Sequence, residues 1–423
     1  MITETMCVHG SDRATAYSPM YKIVRYGNKT HITYLKFKGG SHIVVVRTYN
    51  HDTKEWSPEY LNDPVWDNHC SATLAVDSKG YLHIVYGKHG GGGVFKYRES
   101  VNPNDASLWD DYIVVGTEGM TYPSMVIDSK DTLHLIYRSA GTYGLYYRKK
   151  PSGQPWEAYV ALVTGEATYI MSYHCSIIVD GNDVLHVGVH FHHAGTYQGK
   201  KAGYMKSTDG GSVWRKSDNT LYTLPVTYAT VETLETGLDL RLRNICVDVD
   251  NHPMLGVVRW YKSPKDVQFW RHNGTEWVGT ILSLAKKDVT GGWIGFWNGI
   301  TYVFVATLKV GAPWYDPSSE ISLFYSMDYG KHFNLKPIEP TDPTLCHWKA
   351  NVERKNGANT LTEVRVLWMR GVVAGSAIVC FTHNIMPIPE VLVAGISAQA
   401  TVVVALLLIT IVLVAFWKRR EIT

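Results

Sequence analysis

Residues 67–93 read DNHCSATLAVDSKGYLHIVYGKHGGGG, and residues 121–141 read TYPSMVIDSKDTLHLIYRSAG. The two stretches are copies of one unit. Each has an apolar run ending in an aspartate (Asp77, Asp128), a tight polar turn, then Leu-His and a second apolar run (Leu82-His83, Leu133-His134). Two such runs joined by a turn predict an antiparallel hairpin. The start of the first strand then lies beside the end of the second. The starts carry His69 and Tyr122, and the ends carry His89 and Arg138. His69 and Tyr122 precede their aspartates by eight and six residues. Both offsets are even, so a strand of period two puts both side chains on the face of that aspartate. Standing side by side, the hairpins would gather two histidines, a tyrosine and an arginine at one rim.

The unit recurs. A third copy, HCSIIVDGNDVLHVGVHFHH, starts at His174 and repeats the pattern at Asp180 and Leu185-His186. Asp77 to Asp128 is 51 residues, and Asp128 to Asp180 is 52. A fourth copy, NICVDVDNHPMLGVVRW, sets Asp250 and Leu255 in register, after an insertion over 194–240. Residues 15–62, 287–340 and 345–385 read as further strand clusters. A period near fifty residues with about four strands per repeat predicts an all-β β-propeller of seven four-stranded blades. That domain would span 15–386, with 1–14 as an N-terminal segment. His83, His134 and His186 fall at the far end from the rim and read as structural, each bonded to a neighbouring backbone group. Ser207-Thr208-Asp209-Gly210-Gly211-Ser212-Val213-Trp214 resembles the Asp-box of sialidase-like propellers, and Ser326 to Phe333 is a looser copy. An Asp-box is a turn in which Asp and Gly satisfy backbone groups, so it speaks for fold and not for catalysis.

The chain has 423 residues and a formal net charge of +3, so charge gives no reason to expect a nucleic-acid partner. Six scattered cysteines with no CxxC pair read as small packing residues rather than a disulfide framework. Val391 to Trp417 is apolar nearly throughout and is followed by Lys418-Arg419-Arg420. That pattern predicts a transmembrane helix with its basic flank on the cytoplasmic side. Residues 387–423 would then anchor an extracellular propeller to a membrane. Met1-Ile2-Thr3-Glu4 has neither the basic start nor the apolar run of a signal peptide, which fits poorly with that topology.

The rim set suits one chemistry. Breaking a glycosidic bond beside a uronic acid by β-elimination needs the carboxylate neutralised, a base for the C5 proton and an acid for the departing O4. Arginine neutralises a carboxylate as a planar bidentate donor. A neutral histidine can take a proton, and a tyrosine hydroxyl can give or take one. No cofactor is required. His190-Phe191-His192-His193 suggests zinc, but only His190 and His192 share a strand face, so no metal is expected.

The pattern resembles the seven-bladed β-propeller polysaccharide lyases of the ulvan lyase type, within the BNR/Asp-box superfamily. Here His89 follows His69 by 20 residues and Arg138 follows Tyr122 by 16, which fits that family. The resemblance implies His69 and Tyr122 as the acid–base pair and an acidic polysaccharide as partner. It also implies that His89 and Arg138 hold the carboxylate. His174 and His190, from the next repeat, would extend the substrate-binding set. Two other functions compete. A sialidase-like glycoside hydrolase would carry an early Arg-Ile-Pro-type motif or a pair of carboxylates at the rim, and neither stands out. A non-catalytic glycan-binding propeller would use Trp260, Trp293, Trp297 and Trp348 to stack on sugars.

Overall fold

The computed structural model describes residues 1–385 except 88, 91–94, 172–173, 340–341 and 343. The expected membrane span 391–417 and its basic tail lie outside the described residues. Among the described residues no helix is long and apolar enough to cross a membrane. Every regular element described is a strand.

The hairpins predicted from the repeats are present. Thr73–Val76 pairs with Leu82–Gly87, Met120–Ile127 with Leu133–Ser139, and Ser176–Val179 with Leu185–His193, all antiparallel. Each begins a group of antiparallel strands running outward, such as Met120–Ile127, Leu133–Ser139, Leu145–Lys150 and Val160–Val163. The innermost strands touch one another in succession: Ile23–Tyr26, Thr73–Val76, Met120–Ile127, Ser176–Val179, Glu232–Val247, Lys287–Trp297 and His347–Val352. This is the circular arrangement of a propeller. Sheets packed face to face bury both faces, so inner strands such as Thr73–Val76, Met120–Ile127 and Ser176–Val179 are buried at every position rather than alternating. All six residues of Leu82–Gly87 are buried. Alternation appears in Glu232–Val247, where Leu240 and Leu242 are buried and Asp239, Arg241 and Arg243 are half-buried. The core is accordingly divided between neighbouring sheets. One cluster joins Val126, Ile136 and Tyr147 to Ile177, Leu185 and Trp214.

Two strands bind the ring together. Glu232–Val247 pairs by its first half with Gly199–Ser207 and by its second half with Pro253–Arg259. It is the outer strand of one group and the inner strand of the next. Ile2–Gly10 pairs with Ala377–His383 and extends the group formed by His347–Val352 and Val366–Arg370. The boundary expected at residue 15 therefore does not separate an N-terminal segment from the propeller, because residues 2–10 are part of its last sheet.

The repeated aspartates cap turns. Asp77, Asp128 and Asp180 each accept two backbone N–H bonds from residues two and four positions on, at 2.7–3.0 Å. In the fourth copy Asp248 plays this part, accepting from Asp250 and His252, both at 2.9 Å. The register expected at Asp250 is thus corrected by two residues. Neighbouring turns are bonded to each other as well. Asp131 accepts from the Ser78 N–H and hydroxyl, Asp183 from those of Ser129, and Asn251 from the Gly181 N–H. His134 and His186 are structural, but their partners are side chains. Each bonds a tyrosine hydroxyl (Tyr147 2.7 Å, Tyr204 2.6 Å) and its turn aspartate (3.2 Å). His83 bonds Tyr97 in the same way. All six cysteines are free thiols, and five of them are buried.

Both Asp-boxes form the expected turn. Asp209 Oδ1 accepts from Ser207 Oγ, Ser212 N and Val213 N, while Trp214 is buried and donates to the Gly211 carbonyl. Asp328 repeats the arrangement with Ser326 and His332 N.

The central channel is blocked partway by residues 353–359. Arg354, fully buried, donates to Ser176 Oγ, to the Ile245 carbonyl and to the carbonyls of Ser18, Pro19 and Met20, over the ring of Tyr21 at 3.9 Å. Asn356 bonds the carbonyls of Leu74 and Met125 and the N–H of Ile127. Gly357 has φ +61°, and a Cβ there would lie 2.0 Å from Ile127 Cγ2. Only glycine fits that crossing. The channel so divided has two unlike mouths. One carries the capped turns and is lined by Asp128, Asp180, Asp183 and Asp248, with Trp297 beside them. The other carries the rim residues.

Candidate active site

Four of the residues expected at the rim do meet. The His69 and His89 rings stack with centroids 4.1 Å apart and an interplanar angle of 16°. Tyr122 Oη lies 3.3 Å from His89 Nε2. The Arg138 guanidinium sits 4.8 Å from the centroid of the Tyr122 ring and 5.3 Å from that of Tyr143, and its Nε donates to Thr121 Oγ1 at 3.2 Å.

They meet for a reason other than strand parity. His69 is not on a strand. It occupies a turn in which Cys70 N–H donates to the Asp67 carbonyl. Tyr122 is on a strand, but at an irregularity between Thr121 and Ser124, with φ +56°. A left-handed backbone at a bulky residue costs about 1–3 kcal/mol, and such strain concentrates at functional sites. His89 follows the strand Leu82–Gly87, and Arg138 is next to last on Leu133–Ser139.

Asp67 organises the group, and the sequence reading missed it. Its Oδ2 lies 2.9 Å from His89 Nδ1 and 3.4 Å from His69 Nδ1. Its Oδ1 accepts the His69 backbone N–H at 2.8 Å. Burial opposes the charged carboxylate, but the bonds from the two imidazoles outweigh it and hold its pKa far below the usual range. Burial in turn pushes His69 below its ordinary value, and Arg13 and His89 act in the same direction. Arg13 bonds both His69 Nε2 and the Tyr17 hydroxyl. Tyr17 packs edge-on against Tyr122 with centroids 4.9 Å apart. Arg13 precedes the strand cluster 15–62 and Tyr17 opens it without the repeated motif, so no periodicity could mark them.

Beside this group opens a cavity of roughly 390 Å³ lined by Arg13, Tyr17, His174, Arg241, Arg243, Lys349 and four tryptophans: Trp260, Trp293, Trp314 and Trp348. Three of the four tryptophans proposed as sugar platforms are therefore here. Trp297 is at the opposite mouth, where its indole donates to the Leu361 carbonyl. Trp314, which the sequence reading did not single out, stacks on Trp348 at 4.2 Å.

His174 and His190 are displaced from the role expected of them. His174 touches the cavity but is only 3% exposed, and His190 is fully buried behind it. With His192 they bring ligand atoms within 4.8 Å of one another, a three-histidine grouping in which His174 is the third member. Neutral imidazoles so placed could hold a divalent cation. In this arrangement, however, Arg243 bonds His174 Nε2 at 3.3 Å and Arg241 bonds His192 Nε2 at 2.9 Å. Burial and these guanidiniums push His174 and His190 well below their ordinary values and His192 to about 3. The histidines stand behind the two arginines and hold them toward the cavity.

A ring of antiparallel sheets with Asp-boxes and a polar rim at one mouth defines a repeat propeller. This chain belongs to the BNR repeat-containing family, which matches residues 29–283. Among characterised proteins it is 24% identical over 309 residues to an ulvan lyase of Alteromonas sp. (strain LOR). It is 22% identical over 311 residues to a PL25 ulvan lyase of Pseudoalteromonas sp. (strain PLSV). Each alignment covers 60% of this chain and 62% of the relative, so the chain spans less than two thirds of their length. The fold is similar to that of a PL25 ulvan lyase solved with -[GlcA(1-4)Rha3S]- bound. That likeness has a TM-score of 0.69 and 17% identity, over 88% of this chain and 94% of the other. A second polysaccharide lyase superposes with a TM-score of 0.61 at 13% identity, over 90% of this chain and 98% of the other.

Proposed function

We propose that this protein is a polysaccharide lyase that cleaves a uronate-containing polysaccharide of the ulvan type by β-elimination. The observation that carries the reading is the meeting of Tyr122 Oη, the His69–His89 stack and the Arg138 guanidinium at one rim. Arg138 and His89 neutralise the uronate carboxylate, which makes the C5 proton acidic. His69 and Tyr122 divide the two proton transfers, from C5 and to the departing O4. The bond from C4 to O4 breaks as the C4–C5 double bond forms, and the proton lost from C5 balances the one gained by O4. The basic, tryptophan-lined cavity alongside accommodates the neighbouring sugars of an anionic chain. The names of the relatives support the same substrate class.

Two further parts of the reading rest on the sequence and the strand pattern. The succession of inner strands supports seven blades. The apolar run 391–417 and its basic tail support a membrane anchor for an extracellular propeller. The test of function is direct. The protein is incubated with ulvan and other uronate polysaccharides while the ultraviolet absorbance of the unsaturated uronate product is followed. Absorbance should rise with ulvan and not with His69→Ala. Binding to ulvan without any rise would replace the lyase reading with that of a glycan-binding propeller.

A further inference from the structure

We infer that Asp67 is a positioning residue that sets the tautomer of His89 and makes His89 the proton acceptor of Tyr122. The inference rests on the lyase reading for its kinetic consequence but not for its geometry. A carboxylate can only accept. Asp67 Oδ2 at 2.9 Å therefore requires a proton on His89 Nδ1. That leaves His89 Nε2 with a free lone pair, and the polar atom facing it is Tyr122 Oη at 3.3 Å. The same logic fixes His69. Arg13 has only donors, so His69 Nε2 must accept from it, and the remaining proton sits on Nδ1, on the side of Asp67. Asp67 thus imposes the tautomer of His89, and Arg13 imposes the same tautomer on the stacked ring of His69.

The step this arrangement permits is a single proton transfer. The proton of Tyr122 Oη passes to His89 Nε2, leaving a phenolate beside the Arg138 guanidinium and an imidazolium against the Asp67 carboxylate. No other bond changes. The phenolate is the base that C5 requires. The imidazolium carries an Nε2–H that can bond the substrate carboxylate together with Arg138. Without Asp67 the imidazolium would lose the carboxylate that bonds its Nδ1 at 2.9 Å. The other titratable and charged groups around the site are His42, Cys70, Tyr17, Asp12, Arg13 and Lys349.

The sequence neighbourhood explains how one residue does this. Asp67 lies two residues before His69 and caps its backbone N–H, so the carboxylate is fixed by the same turn that presents the imidazole. His89 arrives from the following repeat strand and meets the second lone pair of Oδ2.

The test is Asp67→Asn in the full chain. Asparagine keeps an oxygen for the His69 N–H, so the turn is retained, but it removes the charge. Loss of the anion destabilises an imidazolium, so the acid limb of the kcat/KM profile should move to lower pH. The kcat should fall about 10²–10⁴-fold, as when other oriented histidines lose their carboxylate, with KM within about threefold. Nitrogen NMR of the wild-type imidazoles should show His89 protonated at Nδ1 near neutral pH, and Asp67→Asn should lose that pattern. A wild-type His89 protonated at Nε2, or an Asp67→Asn variant with unchanged kcat and pH profile, overturns the assignment. If the wild type cleaves no uronate polymer, the lyase reading fails, and the NMR tautomers alone still decide the role of Asp67.

Discussion

Tyr122→Phe removes one oxygen from the centre of the rim and little else. The ring remains, so its edge contact with Tyr17 (4.9 Å) and its stacking under Arg138 (4.8 Å) persist. Phenylalanine needs the same left-handed backbone, so the strain at φ +56° is unchanged. The lost hydrogen bond to His89 is long at 3.3 Å and only part-buried, so it accounts for about 1 kcal/mol of stability. The catalytic loss is of another order. A positioned acid–base group contributes about 10²–10⁴ in rate. At about 1.36 kcal/mol per decade, that is roughly 3–5 kcal/mol of transition-state stabilisation. The substitution should therefore lower kcat by at least about a hundredfold, with KM within about threefold and a melting temperature within a few degrees of wild type. The assay is initial-rate formation of unsaturated uronate from ulvan, beside a thermal melt of the same preparation. A Tyr122→Phe enzyme with more than about a tenth of wild-type kcat would falsify the assignment of Tyr122 to proton transfer.

Two predictions concern stability. Lys22 is fully buried and held by Ser71 Oγ (2.5 Å) and the Ala72 carbonyl (2.8 Å), and burial lowers its pKa from 10.5 to about 7. The unfolded chain binds the extra proton between those values, so this penalty is full below pH 7 and fades toward pH 10. Allowing for the two acceptors left without a donor, Lys22→Met should stabilise the fold by about 1–3 kcal/mol at pH 6 and by much less at pH 10, read by denaturant titration. His31 is the acid-side counterpart. Buried between Thr48 Oγ1 and Asn104 Oδ1, it titrates at about 4 rather than 6.5. The unfolded state takes up this proton first as pH falls, so stability should drop between pH 6.5 and 4 by up to about 3 kcal/mol. Thermal melts across that window should flatten in His31→Asn relative to wild type.

The sequence exposes the ring and half of the site, and the misses have identifiable causes. Hairpins, turn aspartates and Asp-boxes were legible because each is a local pattern with a local physical need. The fourth repeat slipped because Val247-Asp248-Val249-Asp250 offers two aspartates two residues apart. A shift of two preserves strand parity, so periodicity cannot choose between them, and only the backbone N–H bonds to Asp248 do. His69 was placed at the rim by strand parity although it sits in a turn, so its neighbours were found and its orienting partner Asp67 was not. Trp297 was misplaced because one sheet reaches both mouths of the channel, and an aromatic at a strand end carries no label for which mouth. Arg13 and Tyr17 reach the site from a turn held to Leu35 by the backbone of Ser11 and Ala14, a relation no repeated motif contains.

The pairing of Ile2–Gly10 with Ala377–His383 has a consequence for how the protein is made. Thr3 meets Thr382 and Glu4 meets Phe381, so one strand waits for a partner made 379 residues later. Contacts of such sequence separation form slowly. While the chain is still on the ribosome, Ile2–Gly10 has no partner, and the edge of Lys29–Lys38 that it meets at Gly10 is equally exposed. A nascent chain that stops short of residue 377 would leave Ile2–Gly10 unpaired along most of its length, while Ser11 and Ala14, on either side of Arg13, already have Leu35 to bond.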